Sequence, residues 1–223
     1  MESYRTEEEQ IDALKTWWQE NGKSTVLIIV VTLAAVFGWR GWQDHQQSQA
    51  GDASAMFDQL LAADAAVQKN GQVTVTAETL AETIKSAYGS LSYGQFAALY
   101  KAKYAVLKGD NAAAAEELKW VIDQGPEAAV KSQAEMRLAQ VYFAQTEYDQ
   151  ALDLIKGLES TGFGPDALEL KGDILLKQGD SDAALAAYRQ ARKTLAAQQN
   201  PSQHPMLEMK INDLSTTIQG AQS

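Results

Sequence analysis

Cysteine is absent from this 223-residue chain, which has two histidines and four prolines. Without thiols the chain can form no disulfide, thiolate metal site or cysteine nucleophile, and it lacks the lipidated cysteine of a bacterial lipoprotein. Neither His45 nor His204 has a second histidine three or four residues away, so the helical zinc motif is missing. Phosphate-binding loops, dinucleotide fingerprints and G-x-S-x-G are missing too. We therefore expect no enzyme, no cofactor and no metal site.

Basic charge is also scarce. Lysine and arginine together number 19 against 29 aspartates and glutamates, which gives a net charge of −10. A nucleic-acid partner would need a basic stripe, so we expect none. The acidic residues are scattered along helix faces and predict solvated surface.

Patterns typical of β-strands are nearly absent, since β-branched residues alternate only in 72–76. Alanine is abundant, and helical periodicity runs between breaks at glycine, proline and asparagine. Asn70-Gly71 predicts the end of one amphipathic helix, and Thr76 the N-cap of the next. The chain is therefore predicted to be all-α.

The one long apolar run is 24–42, and its residues 24–39 carry no charge. Those uncharged residues would form about 24 Å of helix, somewhat less than a bilayer core. Tryptophan pairs on both sides extend it, as interfacial belts do: Trp17, Trp18, Trp39 and Trp42. We predict a single transmembrane helix in a lipid bilayer. A cleaved signal peptide is the main alternative, disfavoured by the long polar segment before the run; a buried soluble helix is another.

Positive charge near the span predicts its orientation. Arg5, Lys15 and Lys23 precede it, whereas Arg40 alone follows closely, which favours a cytoplasmic N-terminus. Segment 1–23 is then a cytoplasmic tail, and the remainder lies in the periplasm of a bacterium. The tail carries one apolar stripe, typical of an interfacial helix or of a docking peptide for a cytoplasmic partner.

Segment 95–198 is predicted to hold three tetratricopeptide-like repeats. Ala114, Ala151 and Ala184 occupy equivalent places, 37 and 33 residues apart, and the tetratricopeptide period is near 34. Small residues at such positions let paired helices approach closely. Gly109-Asp110 and Gly179-Asp180 predict turns within pairs. Because the motif is degenerate, an irregular helical bundle remains the alternative.

The flanking segments complete the predicted domain. Segment 43–94 should form a juxtamembrane helix and a degenerate N-terminal helix pair. Segment 199–223 should form a C-terminal capping helix, with Pro205 in its first turn. The predicted fold is thus all-α: one transmembrane helix followed by a tetratricopeptide-like α-solenoid of helix pairs with a C-terminal cap.

A stack of helix pairs presents one face built from the first helix of each pair. That face is the candidate protein-binding groove, although its apolar members could equally be core. The register places twelve residues on it: Phe96, Leu99, Lys103, Val106, Gln133, Met136, Gln140, Phe143, Asp166, Glu169, Asp173 and Leu176.

Three segments carry a family resemblance: WWQENGK before the span, LKWVID at 118–123 and MRLAQVY at 136–142. With the single span and the helical repeats, the chain resembles the YfgM-type ancillary SecYEG translocon subunits over essentially its whole length. The resemblance implies an inner-membrane protein that associates with the SecYEG translocon and with a PpiD-type periplasmic chaperone.

The expected function is therefore that of a non-catalytic adaptor that links protein export to periplasmic chaperones, with direct binding of client polypeptides also possible. Two alternatives stay open at this point. One is a regulator of a stress-response pathway that acts through the cytoplasmic tail. The other is an assembly factor for envelope complexes.

Overall fold

A computed structural model describes residues 7–197 and 205–221, and every regular element within those ranges is an α-helix. The prediction of an all-α chain is confirmed. The chain divides into two compact units, Met1–Asp52 and Ala53–Ser223. The helices are α1 (Glu7–Asn70), α2 (Val75–Ala87), α3 (Ser92–Leu107), α4 (Asn111–Asp123), α5 (Ala128–Ala144), α6 (Tyr148–Leu158), α7 (Gly164–Lys177), α8 (Ser181–Ala197) and α9 (Pro205–Ala221).

The described part of the first unit is the N-terminal portion of α1. Its aliphatic side chains between the tryptophan pairs are largely exposed, and its most apolar window has a mean hydropathy of 1.8. The indole rings of Trp17 and Trp18 lie 6.4 Å apart, and those of Trp39 and Trp42 lie 5.3 Å apart. From Trp18 to Trp39 the helix rises about 32 Å, close to the thickness of a bilayer core. The helix is therefore long and apolar enough to cross a membrane.

The second unit begins within α1, which ends at Asn70 because Gly71 adopts a left-handed φ of 69°. The prediction of Thr76 as the next N-cap is wrong. Thr74 has the extended backbone of a cap, and its hydroxyl accepts a hydrogen bond from the Ala77 backbone N–H at 3.2 Å. Thr76 lies inside the first turn of α2, where its backbone is already helical.

Three helix pairs follow: α3 with α4, α5 with α6, and α7 with α8. The same backbone hydrogen bond closes the turn inside each pair, from an N–H to the carbonyl five residues earlier. These bonds are Asp110 N to Ala105 O (2.9 Å), Glu147 N to Tyr142 O (2.9 Å) and Asp180 N to Leu175 O (3.0 Å).

Each of these turns also contains a residue with positive φ: Gly109 at 79°, Thr146 at 63° and Gly179 at 88°. Glycine adopts this conformation without steric penalty, whereas a β-branched residue is strained there. Among the described non-glycine residues, Thr146 alone has positive φ. The middle turn thus keeps the geometry of the other two without their glycine.

The helices of a pair approach closely through small residues. Ala114, Ala151 and Ala184 are all fully buried. In the last pair, Gly172 of α7 faces Tyr188 of α8 so closely that a Cβ on Gly172 would lie 2.3 Å from the ring. The tyrosine ring therefore fills space that a larger side chain on α7 would need.

Helix α9 closes the end of the array. Its residues Leu207, Ile211 and Leu214 are buried in a cluster with side chains of α7 and α8. Its Lys210 binds Asp173 at 2.7 Å and Glu169 at 2.8 Å on α7. Burial opposes the charge of Lys210, but these two carboxylates outweigh it and raise its pKa. The predicted C-terminal capping helix is confirmed as an element, over Pro205–Ala221; the rest of the predicted segment, 199–204 and 222–223, lies outside the described residues.

Candidate protein-binding surface

Helices α3 and α5 each direct one stripe of side chains towards a common depression, which the end of α1 borders. Residues spaced by three and four along each helix share a face, which explains why the stripes are continuous. The depression has two adjoining parts, of about 470 and 280 Å³, and Lys103 and Arg137 line both. We call it the α3–α5 groove. Its other lining residues are Phe57, Asp64, Gln68, Phe96, Leu99, Tyr100, Ala102, Val106, Leu107, Asn111, Leu118, Gln133, Gln140, Val141 and Ala144.

An ion pair between a half-buried lysine, Lys103, and a buried carboxylate, Asp64, lines the groove. The carboxylate of Asp64 accepts hydrogen bonds from Lys103 at 2.7 and 2.8 Å and from Gln68 at 2.7 Å. Asp64 is only 1 % exposed. Burial acts to raise its pKa, but these hydrogen bonds and the lysine charge outweigh burial and lower the pKa. Asp64 is therefore ionised at neutral pH, and its charge is balanced by Lys103.

Aromatic rings form one wall of the groove. Phe57 of α1 contacts Phe96 and Tyr100 of α3, with ring centroids 6.0 and 5.9 Å apart. The Lys103 ammonium lies 5.5 Å from the Tyr100 ring centroid. Burial, followed by the charge of Asp64, raises the pKa of the Tyr100 hydroxyl. This wall is thus a neutral, mostly apolar surface that offers a hydroxyl group.

The opposite part of the groove is more open. Val106 and Leu107, at the end of α3, are 47 % and 49 % exposed. They lie beside Val141 and Ala144 of α5. Isolated exposed aliphatic side chains are ordinary on protein surfaces, but these line a depression and flank a cation. The groove therefore combines apolar side chains with a similar number of polar ones.

The structure separates the twelve predicted groove residues into groups. Six line the α3–α5 groove: Phe96, Leu99, Lys103, Val106, Gln133 and Gln140. Met136 is buried in the core, and Phe143 is partly buried against it with its ring 5.9 Å from Tyr148. On α7, Leu176 is exposed and Asp166 half-buried, while Glu169 and Asp173 bind Lys210. The α7 residues do not line the α3–α5 groove.

Sequence reasoning missed several lining residues that the structure adds, chiefly Phe57, Asp64, Tyr100, Leu107 and Arg137. Two of them had a signal. Arg137 follows Gln133 by four residues and precedes Gln140 by three, so helical spacing puts it on the predicted face. Asp64 follows Leu60 by four residues, so the two share one helix face, and Asp64 is an acidic residue on an otherwise apolar stripe. The contribution of Phe57 depends on how α1 packs against α3, which no local pattern reveals.

Within residues 7–197 and 205–221, no group of three or more histidine, aspartate or glutamate side chains is placed to hold a metal ion. Several charged side chains elsewhere in the second unit pair with each other, as Lys85 and Lys101 do with Glu117 at 2.6 and 2.5 Å. Such pairs join neighbouring helices and are structural.

Comparisons with known proteins agree with this architecture. A family model described as a tetratricopeptide repeat-like domain matches residues 15–216. Three curated relatives, each named ancillary SecYEG translocon subunit, come from Haemophilus influenzae, Aggregatibacter actinomycetemcomitans and Escherichia coli K12. They are 34 %, 33 % and 30 % identical to this chain, cover 95–96 % of it, and are themselves matched over their full length.

The helix pairs, the capping helix and the apolar N-terminal helix define a membrane-anchored protein with a tetratricopeptide-like domain. Within that class, the relatives assign the family. The chain belongs to the family of ancillary SecYEG translocon subunits, as the resemblance in the sequence indicated.

Proposed function

We propose that this protein is a non-catalytic adaptor, anchored in the bacterial inner membrane beside the SecYEG translocon. The observation that carries the proposal is the full-length similarity to subunits named for that channel. The exposed apolar part of α1 supports the anchor. The α3–α5 groove supplies a surface for a protein partner. Anchoring would keep that surface at high effective concentration near other membrane proteins.

We also propose an orientation of the protein in the membrane. The tail 1–23 lies in the cytoplasm and the tetratricopeptide-like domain in the periplasm, because positive charge is concentrated before the span. A domain on that side could hold a PpiD-type chaperone near emerging polypeptides and could contact such polypeptides itself. The resemblance noted in the sequence motivates the chaperone partner.

Affinity purification of the whole protein from detergent-solubilised membranes tests the adaptor role. We expect SecYEG subunits and a membrane-anchored chaperone to be recovered with the wild-type chain. If the protein is an adaptor, deletion of 1–22 should leave the periplasmic partner bound in this purification. If it is instead a regulator that acts through its tail, the same deletion should abolish its effect on the cell. Recovery of neither channel nor chaperone with intact protein would refute the proposal.

Groove variants test which surface is used. Val106→Asp replaces an apolar lining residue with a carboxylate, and we expect it to reduce recovery of a periplasmic partner at least about fivefold, since an apolar side chain of the partner can no longer be buried against it without desolvating a polar group. Val75→Asp is the matched control, because Val75 on α2 is 79 % exposed and lies outside the groove. Equal losses in both variants would place the contact elsewhere.

A further inference from the structure

We infer that the α3–α5 groove recognises a polypeptide segment in which an acidic residue lies between apolar residues, and that Arg137 selects the acidic side chain. The inference rests on the proposed function in one respect, namely that this groove is a protein-binding surface. It adds the chemistry of the partner and a residue that determines specificity.

The groove carries an excess of positive charge. Its charged lining residues are Asp64, Lys103 and Arg137. Asp64 and Lys103 neutralise each other through two short hydrogen bonds. Arg137 forms no ion pair or side-chain hydrogen bond with the residues that the structure describes, so the groove carries one uncompensated positive charge. The chain as a whole has a net charge of −10, so this groove is locally opposite in sign to the molecule.

That charge lies where the two parts of the groove adjoin. Arg137 lines both parts of the groove, between Gln133 and Gln140 on the same face of α5. A guanidinium group presents five donors in a planar fork that fits a carboxylate in bidentate fashion. The two glutamine amides can donate to and accept from the backbone of a bound segment. Arginine and glutamine together thus fit an acidic side chain and the peptide groups beside it.

Apolar side chains line the groove on both sides of the cation. The aromatic wall with Phe57 and Phe96 lies in one part of the groove, and the half-exposed Val106 and Leu107 lie in the other. Apolar side chains of a partner can therefore be buried on either side of the carboxylate. Their burial would exclude water, which strengthens the ion pair with Arg137. The order apolar, acidic, apolar follows from this arrangement.

The α7 acids contrast with this site. Glu169 and Asp173 already hold Lys210 of α9, so that ion pair is satisfied within the chain. Arg137 is the cation in the groove that an acidic partner can engage without displacing a native contact.

The test is selection of a random short-peptide library on the full-length protein, held in nanodiscs of neutral lipid. We expect enrichment of peptides in which aspartate or glutamate is flanked by apolar residues. Labelled peptides from that pool should bind about three- to tenfold more tightly than counterparts with glutamine for the acid, because glutamine keeps a neutral hydrogen bond in place of a charged one that is roughly twice as strong. Enrichment of basic or purely apolar peptides, or of none, overturns the inference.

Arginine variants identify the selecting residue. Arg137→Gln should abolish the preference for acid over glutamine, and Arg137→Glu should reverse it in favour of lysine-containing peptides. A variant that merely misfolded could not reverse a preference. Arg189→Gln is the matched control, because Arg189 is exposed on α8 outside the groove, and it should behave as wild type. An unchanged acid preference in Arg137→Gln overturns the role of Arg137.

Two further outcomes separate the possible failures. If Arg137→Gln lowers flotation with anionic-lipid vesicles while peptide preference stays unchanged, the cation contacts lipid headgroups and the inference is wrong. If wild-type protein selects acidic peptides but recovers no SecYEG subunit from membranes, the adaptor proposal fails and the inference stands. Recovery of the channel without any acidic preference refutes the inference and leaves the adaptor proposal intact.

Discussion

Gly172 and Tyr188 illustrate how one residue determines the spacing of a helix pair. The buried tyrosine ring occupies the place of the missing side chain, and its hydroxyl donates to Asp173 at 2.7 Å. Burial, followed by that carboxylate, raises the pKa of Tyr188, so the hydroxyl stays protonated and available as a donor. The ring is therefore fixed from two sides and has little freedom to move away.

We expect Gly172→Ala to destabilise the domain by up to about 2 kcal/mol. The better helix propensity of alanine, about 1 kcal/mol, is outweighed by overpacking of about 1–3 kcal/mol against the ring. Gly157→Ala on α6 is the control, since nothing lies within 4 Å of its added methyl group, and it should stabilise by up to about 1 kcal/mol. Chemical denaturation followed by circular dichroism measures both. Stabilisation in both variants would show that the ring can move.

The turn between α5 and α6 differs chemically from the turns of the other two pairs. Asp110 and Asp180 each accept a hydrogen bond from a backbone N–H three residues later, both at 3.0 Å. Glu147, at the equivalent place, makes no such cap, and Thr146 before it has a positive φ. The middle pair thus lacks both the glycine and the capping aspartate.

Restoring those residues should stabilise the middle pair. Thr146→Gly removes the strain of a β-branched residue at positive φ and should raise the free energy of unfolding by about 1 kcal/mol. Glu147→Asp adds a cap and should contribute about 0.5–1 kcal/mol more. The shift in denaturation midpoint measures each change. Gly109→Thr is the reciprocal control and should destabilise; a neutral result in both directions would contradict this account of the turn.

These elements also show what the sequence could predict. Repeating alanines and two Gly-Asp turns predicted paired helices correctly, because small residues and glycine have few other roles at such spacing. The middle turn had no glycine, so its equivalence could be recognised only from its hydrogen bonds. Thr74 and Thr76 are chemically alike, and the backbone conformation alone distinguishes the cap. In the groove, the α3 and α5 stripes followed from periodicity, whereas Phe57 required the packing of α1.

The molecule as a whole has a feature that makes its orientation easy to measure: it contains no cysteine. We expect Gln46→Cys, beyond the span, to react with a membrane-impermeant maleimide in intact spheroplasts. Gln19→Cys, before the span, should react only after lysis. Both side chains are exposed on α1, so access to the reagent decides the outcome. The opposite labelling pattern would place the tetratricopeptide-like domain in the cytoplasm.

Helix α9 has a consequence for assembly. In an array of helix pairs whose last pair is uncovered, the terminal apolar face is exposed to water. Such an array can bury that face by adding further units or by stacking on a second copy. Here Leu207, Ile211 and Leu214 provide that cover, and Lys210 fastens it through two carboxylates. At this end the array therefore supplies its own lid, and a second copy is not needed to complete the last pair.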